Sequence, residues 1–228
     1  MTTSVDNPMR RRAPEEFFAE PARSAAAAIQ SGNTGRLEAM LRVDPKLVEV
    51  EGAKGMTLLL WAASLQEVAA VGVLLRHKAD PNWMFKVSEQ KFQLLALAAG
   101  GDNDELFMAL FAAGADPNSV DGEGSALFNA IHARRWDRVA LLLDAGADID
   151  RPGPMSSPPV LYLAKINEYA AVADFIERGA DIKAKDLGGA TLADVVKRFS
   201  LSADSPNGQA HARVERMLVS RGAMAPRK

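Results

Sequence analysis

The residues whose types could do chemistry in this 228-residue chain are three histidines (His77, His132 and His211), an acidic run from Asp102 to Glu105, and two glycine-rich stretches. A catalyst needs a nucleophile, a base or a metal with a partner in hydrogen-bond reach. The histidines lie far apart and outside any His-Glu-x-x-His spacing, so each reads as a surface or helix-end side chain. The acidic run lacks the twelfth-position Glu of a calcium loop and reads as the cap of a helix. Gly52-Ala53-Lys54-Gly55 and Gly122-Glu123-Gly124 lack the spacing of a phosphate loop, and no Gly-x-Ser-x-Gly elbow occurs. The absence of cysteine excludes thiol nucleophiles, disulfides, Cys-ligated zinc and iron–sulfur clusters. Catalytic residues, metal and cofactor are therefore expected to be none. An enzyme would need a site assembled across the chain from residues such as His132, Asp102 and Glu123.

Composition points the same way. With 27 Lys+Arg against 29 Asp+Glu and 48% hydrophobic residues, the chain has average globular usage and enough apolar side chains for a substantial core. Arg10-Arg11-Arg12 is its one basic run and reads as a solvated tail, so no nucleic-acid partner is expected. The first fifteen residues hold no apolar stretch of signal-peptide length. The longest apolar runs, Leu94 to Ala99 and Leu106 to Ala113, are far too short for a bilayer span. The expected address is the cytoplasm, or the periplasm if a signal sequence has been removed.

The elements that must position any surface site are legible as an internal repeat. Ala79-Asp80-Pro81-Asn82 returns as Ala115-Asp116-Pro117-Asn118, Ala147-Asp148-Ile149-Asp150 and Ala180-Asp181-Ile182-Lys183, with Asp-to-Asp steps of 36, 32 and 33. Each phrase follows an apolar segment such as Leu141-Leu142-Leu143, and Gly114, Gly146 and Gly179 are placed to stop that helix in a left-handed cap. A second apolar turn lies upstream, around Ala62, Ala98, Ala130 and Leu163. Every unit therefore reads as helix, turn, helix, loop, with two apolar faces that only stacked neighbours can bury. Trp61 and Trp136 sit inside such helices and read as core.

These residues resemble the ankyrin repeat, in which Asp-x-x-Gly-x-Thr-Pro-Leu-His-x-Ala is followed by a second helix and Gly-Ala-Asp-x-Asn. Thr57 to Ala62, Gln93 to Ala98, Ser125 to Ala130 and Pro158 to Leu163 fall on the first motif, and Asp186, Gly189 and Thr191-Leu192 open a further unit. The family's His position holds Leu60, Ala96, Phe128, Leu161 and Asp194 instead, so apolar packing is expected to replace its Thr-to-His ladder. The resemblance implies an all-α solenoid of about six helix-turn-helix units, degenerate caps included, with short finger loops. The expected division is a flexible tail over 1–20, units at 21–52, 53–84, 85–120, 121–152, 153–185 and 186–225, and a tail over 226–228. In the last unit, Ser200 to Gln209 reads as a flexible loop.

In such a fold the surface that matters is lined by first helices and fingers. The finger Trp83 to Phe92 lies in the unit with the longest step and holds Trp83, Met84, Phe85 and Phe92 where polar turn residues are expected. It either presents these anchors to a partner or folds back on the stack. Met155, in the proline-stiffened finger Gly153 to Pro159, is a further contact candidate. The resemblance adds Lys54, Met56, Ser64, Leu65, Glu89 and Gln90, with Phe92, as positions that face the partner in the family.

It also implies a non-catalytic scaffold that binds one protein partner through its concave face and is a monomer when free. Phe17-Phe18-Ala19-Glu20-Pro21 and the phrase from Gly52 to Ala62 are similar to short proteobacterial ankyrin proteins found beside type VI secretion effectors. Those act as immunity proteins against a toxin such as a phospholipase. An adaptor in stress response or host interaction would use the same binding chemistry.

Overall fold

The computed structural model describes residues 7–122, 124–199, 201–202 and 204–225, with the backbone alone for Met155. Residues 1–6 and 226–228 of the expected tails, and Glu123, lie outside the described residues. The chain divides into two compact units, residues 1–122 and 123–228.

The first unit holds α1 (Ala22–Gln30), α2 (Thr34–Val43), α3 (Leu58–Ser64), α4 (Val68–Arg76), β1 (Met84–Val87), β2 (Gln90–Gln93), α5 (Leu94–Gly100), α6 (Asp104–Ala112) and β3 (Val120–Asp121). The second holds β4 (Gly124–Ser125), α7 (Ala126–His132), α8 (Trp136–Asp144), α9 (Pro159–Lys165), α10 (Tyr169–Glu177), α11 (Leu192–Arg198) and α12 (Pro206–Ser220). The helices run in consecutive pairs, as the repeat implies, but short strands accompany them, so the all-α expectation needs that correction.

The recurring phrase has one physical job. Asp80, Asp116, Asp148 and Asp181 each accept, through Oδ1, the backbone N–H two residues on, at 2.8, 2.8, 3.0 and 2.8 Å. That is the Asx turn, which carries the chain out of one helix pair and towards the next. The residue two after the Asp then reaches forward: Asn82 Oδ1 accepts from Asp116 N–H at 2.7 Å, and Asp150 Oδ1 from Asp181 N–H at 2.8 Å. Gly114, Gly146 and Gly179 have φ of +83°, +88° and +97°, the left-handed cap expected of them, and Lys78 takes the same place at φ +71°. Three of the first helices, α3, α7 and α11, are capped by hydroxyls: Thr57 accepts from Leu60 N–H, Ser125 from Phe128 N–H and Thr191 from Asp194 N–H. Asn103 caps α6 in the same way.

Small residues on first helices (Ala62, Ala63, Ala98, Ala99, Ala130) and large ones on second helices (Leu74, Leu110, Leu142, Phe175) are all buried. Such an arrangement brings helix pairs close and fills the space between them, each buried leucine contributing about 1.5–3 kcal/mol.

Residues 7–20, expected as part of a flexible tail, are folded onto the first unit. Phe17 and Phe18 are buried against Trp61, with ring centroids 5.5 and 6.2 Å apart, and Trp61 Nε1 donates to Ala26 O at 3.1 Å. Ala53 N–H donates to Phe17 O at 2.8 Å, and a side chain at Gly52 would meet that carbonyl at 2.4 Å. Asn7 Nδ2 donates to Ser64 O at 2.7 Å, while Arg10 pairs with Glu67. The Phe-Phe pair thus packs on α3 and the finger before it.

Three further expectations change in the second unit. Trp136 stands 37% exposed in the first turn of α8, to one side of the inward face that Arg138, Val139 and Leu142 set. His211 is buried rather than superficial: its Nε2 lies 3.1 Å from Val196 O and its ring meets Tyr169 edge-on at 4.6 Å. Burial, with repulsion from Glu215, raises the Tyr169 hydroxyl above its ordinary pKa. The loop expected to run to Gln209 ends at Ser205, whose hydroxyl accepts from Gly208 N–H while Pro206 occupies the first position of α12. A Ser-Pro step is a strong helix start that composition alone disguises.

Candidate functional site

The finger between α4 and α5 is a β-hairpin. Met84 pairs with Gln93, Phe85 with Phe92, Lys86 with Lys91 and Val87 with Gln90, and Ser88-Glu89 form the turn, with Ser88 at φ +55°. Directly opposed residues share a face. One face therefore carries Phe85, Phe92 and Val87, and the other carries Met84, Lys86 and Lys91 above the buried Gln93.

Contacts of three residue types hold the hairpin: Phe, Trp and Gln. Phe85 and Phe92 stack at 5.6 Å. Trp83 Nε1 donates to Gly55 O at 3.2 Å, tying the hairpin to the preceding finger, and Phe85 Cβ lies 3.8 Å from where a Cβ on Gly55 would stand. Gln93 spans its base, donating to Asn82 O at 3.2 Å and accepting from Val120 N–H at 3.2 Å, while β3 extends the sheet through Phe92 and Asp121. Trp83, Phe85 and Phe92 are consequently half-buried, whereas Met84 and Val87 are 43% and 56% exposed. Trp83 and the phenylalanines build the finger, and Met84 and Val87 are what it shows to solvent.

The other candidates fall in three places. Lys54 stands exposed at the tip of the preceding finger, at φ +61°, and Met56 is half-buried behind it, so both join the hairpin through Gly55. Glu89 and Gln90 are exposed at the hairpin tip. Ser64 and Leu65 lie at the opposite end of α3, beneath Asn7 and Arg10. Leu65 is 0% exposed and cannot touch a partner; the N-terminal segment, unread in the sequence as structure, covers it. The Met155 side chain lies outside the described residues.

A groove of about 1060 Å³ lies along α3 and α5, with Leu60, Leu94, Leu97, Arg10 and the turn from Asp102 to Leu106 among its lining residues. Leu97 is 41% exposed within it. Sequence reasoning missed Leu97 because the unbroken run Leu94 to Ala99 has no polar residue to set its phase. It passed over Lys86, Val87 and Lys91 because it read their segment as a loop; strand alternation would have separated the two lysines from Phe85 and Phe92 and set Val87 on the phenylalanines' face at the hairpin's outer end.

Among the described residues, no group of three or more His, Asp or Glu side chains is placed to hold a metal ion, and no helix is long and apolar enough to cross a membrane. His132 stacks on Tyr162 at 6.1 Å and is exposed, far in sequence and setting from the buried His211.

No protein-family profile and no curated protein matches this sequence. Solved structures do. The ankyrin repeat protein EF0377 is 20% identical, with a TM-score of 0.64 over 88% of this chain and 98% of that one. An ankyrin repeat domain from Acinetobacter baumannii AYE is 18% identical, with a TM-score of 0.67 over 89% of this chain and 98% of that one. The ankyrin repeat domain of Bcl-3, a member of the IkappaB protein family, is 21% identical, with a TM-score of 0.61 over 87% of this chain and 86% of that one. The fold is therefore the ankyrin-repeat fold.

Proposed function

We propose that the chain is a non-catalytic protein-interaction scaffold of six ankyrin-type units, monomeric when free, that grips one partner protein through its first helices and fingers. The observation that carries this reading is the hairpin at Met84–Gln93: its aromatic residues are spent on holding it up, and it still exposes Met84 and Val87. Apolar side chains kept on a rigid projection fit a role as binding anchors. Lys54, Met56, Glu89 and Gln90 would border them, and Met155 would serve as a separate contact.

The partner we favour is a cognate toxin, with the chain as its immunity protein. The phrases at Phe17 to Pro21 and Gly52 to Ala62 support this through their similarity to the proteobacterial group described above. They are also the segments that meet in the structure, where Ala53 N–H donates to Phe17 O at 2.8 Å. The test is co-expression of the chain with toxins encoded beside its gene. Recovery of growth, with a one-to-one complex by light scattering, is expected for the wild type and lost for Met84→Ala/Val87→Ala. Growth that recovers equally with both would remove the finger from the site, and failure with every neighbouring toxin would remove the immunity role.

A further inference from the structure

The outer strand of the hairpin carries an open hydrogen-bonding edge. In the sheet, β1 pairs with β2 and β2 with β3, and the far side of β1 pairs with no strand among the described residues. The register fixes which backbone groups face that side. Gly122 N–H donates to Lys91 O at 2.8 Å, so Lys91 turns its backbone towards β3 and away from Lys86. Ladder bonds alternate along an antiparallel pair, so Phe85 and Val87 bond to β2 while Met84 and Lys86 turn N–H and C=O outward. No bond from another described residue reaches those four groups. The preceding finger meets the base of the hairpin, at Trp83 and Phe85, and Lys86, Val87 and Ser88 beyond it are exposed.

The side chains along this edge are charged on one face. Lys86 and Lys91 stand directly opposite each other, exposed and in no ion pair among the described residues. A lysine on an edge strand can by itself guard against unwanted pairing. Lys91 lies on the inner strand, where it guards no edge and repels Lys86. The pair therefore costs the free hairpin some stability and is relieved when a carboxylate meets it.

Resting on the scaffold reading above, we propose that β1 takes up an extended segment of the partner protein as a further strand of the sheet. Its acidic side chains lie on the face of Lys86 and Lys91, and its apolar ones lie on the face of Phe85 and Val87. Main-chain bonds to Met84 and Lys86 then give affinity, and the alternation of acidic and apolar side chains gives specificity. A second copy of this chain is the wrong occupant, because antiparallel pairing of two such edges would lay four lysines on one face.

The experiment is selection from a displayed library of random peptides of about eight residues, the length of one strand, on the immobilised full chain. Expected is enrichment of peptides in which Asp or Glu alternates with apolar residues. Those peptides are then resynthesised with N-methyl groups on one or the other alternate set of backbone amides. One set should weaken binding about tenfold or more and the other by no more than about twofold, since one edge of an added strand faces β1. Lys86→Glu/Lys91→Glu should bind the selected peptides about tenfold more weakly and should itself select peptides in which Lys or Arg alternates with apolar residues. Lys86→Gln/Lys91→Gln and a melting curve for each variant separate lost charge from lost fold. Enriched peptides indifferent to both methylation sets, or to both lysine variants, overturn the edge and leave the scaffold reading standing, as that reading is judged by Met84→Ala/Val87→Ala against the partner. A chain that enriches nothing also overturns the edge proposal. A wild-type dimer in sedimentation that Lys86→Pro abolishes would give the edge to a second copy and overturn it as well.

Discussion

Two fingers of this protein face the same problem and solve it oppositely. The one from Gly153 to Ser157 is closed at its base, Gly153 N–H donating to Ser157 O at 3.0 Å, and a side chain on Gly153 would stand 2.3 Å from the Phe128 ring. It is short, proline-set and pressed onto Phe128 of α7. The one from Trp83 to Gln93 has room for four paired residues in each strand and makes its own small core from Phe85 and Phe92. The comparison teaches that aromatic residues in a loop need not be contact residues. They can be the cost of projecting a strand pair into solvent, and the contact residues are then the neighbours they expose.

If the fingers differ and the helix pairs behind them do not, truncating the matching second-helix leucines should cost the same on both sides. Leu74→Ala, upstream of the hairpin, and Leu142→Ala, upstream of the proline finger, both remove fully buried side chains. Each should lower stability by about 2–5 kcal/mol in a urea melt. A cost below about 1 kcal/mol at either site would break the shared register.

Gly153→Ala should come next, destabilising by about 1–3 kcal/mol because its methyl group must displace the Phe128 ring. The hairpin has no such constraint. Its own weak point is Trp83: Trp83→Phe should cost about 1 kcal/mol through the lost hydrogen bond to Gly55 O. Trp83→Ala should cost more than Trp83→Phe, read from the same melts.

Carboxylates at the base of the proline finger sharpen the contrast through pH. Burial, reinforced by repulsion from Asp181 and Asp148, raises the Asp150 pKa despite the hydrogen bond from Asp181 N–H. A raised acid is stabilised by protonation, so its contribution is present below the usual carboxylate range and lost as pH rises through its folded value. Asn82 holds the equivalent place in the hairpin's unit, accepting from Asp116 N–H and donating to Gly114 O. Asp150→Asn should therefore gain about 0.5 kcal/mol at neutral pH, and the gain should shrink on acidification. Asp186 behaves oppositely. The Lys165 ammonium at 2.7 Å and the N–H groups of Ala190 and Gly188 lower its pKa, so its stabilisation holds above the carboxylate range and is lost as pH falls. The melting difference between wild type and Asp186→Asn should accordingly vanish in acid.

The repeat was legible because four successive units write the same Asx turn, cap and helix pair, and those signals are local. What stayed hidden depended on partners distant in sequence. Phe17 and Phe18 declare nothing until Trp61 is placed against them, and Leu65 becomes unreachable only when Asn7 and Arg10 cross above it. His211 needs both Tyr169 and Val196 to be a core residue. Of the candidate site, the finger was legible from its length and its aromatic residues. Which of its side chains point outward was not, because that turns on strand register.

The smallest expected stability effect belongs to the most direct test. Met84→Ala/Val87→Ala removes only exposed methyl and thioether groups, so the melting curve should move by no more than about 0.5 kcal/mol. Titration calorimetry against the partner isolated with the wild-type chain should show affinity falling about tenfold or more for this variant and no more than about twofold for Pro154→Ala beside Met155 in the other finger. Unchanged affinity in the hairpin variant, or a larger loss from Pro154→Ala, would contradict the division of labour between the two fingers.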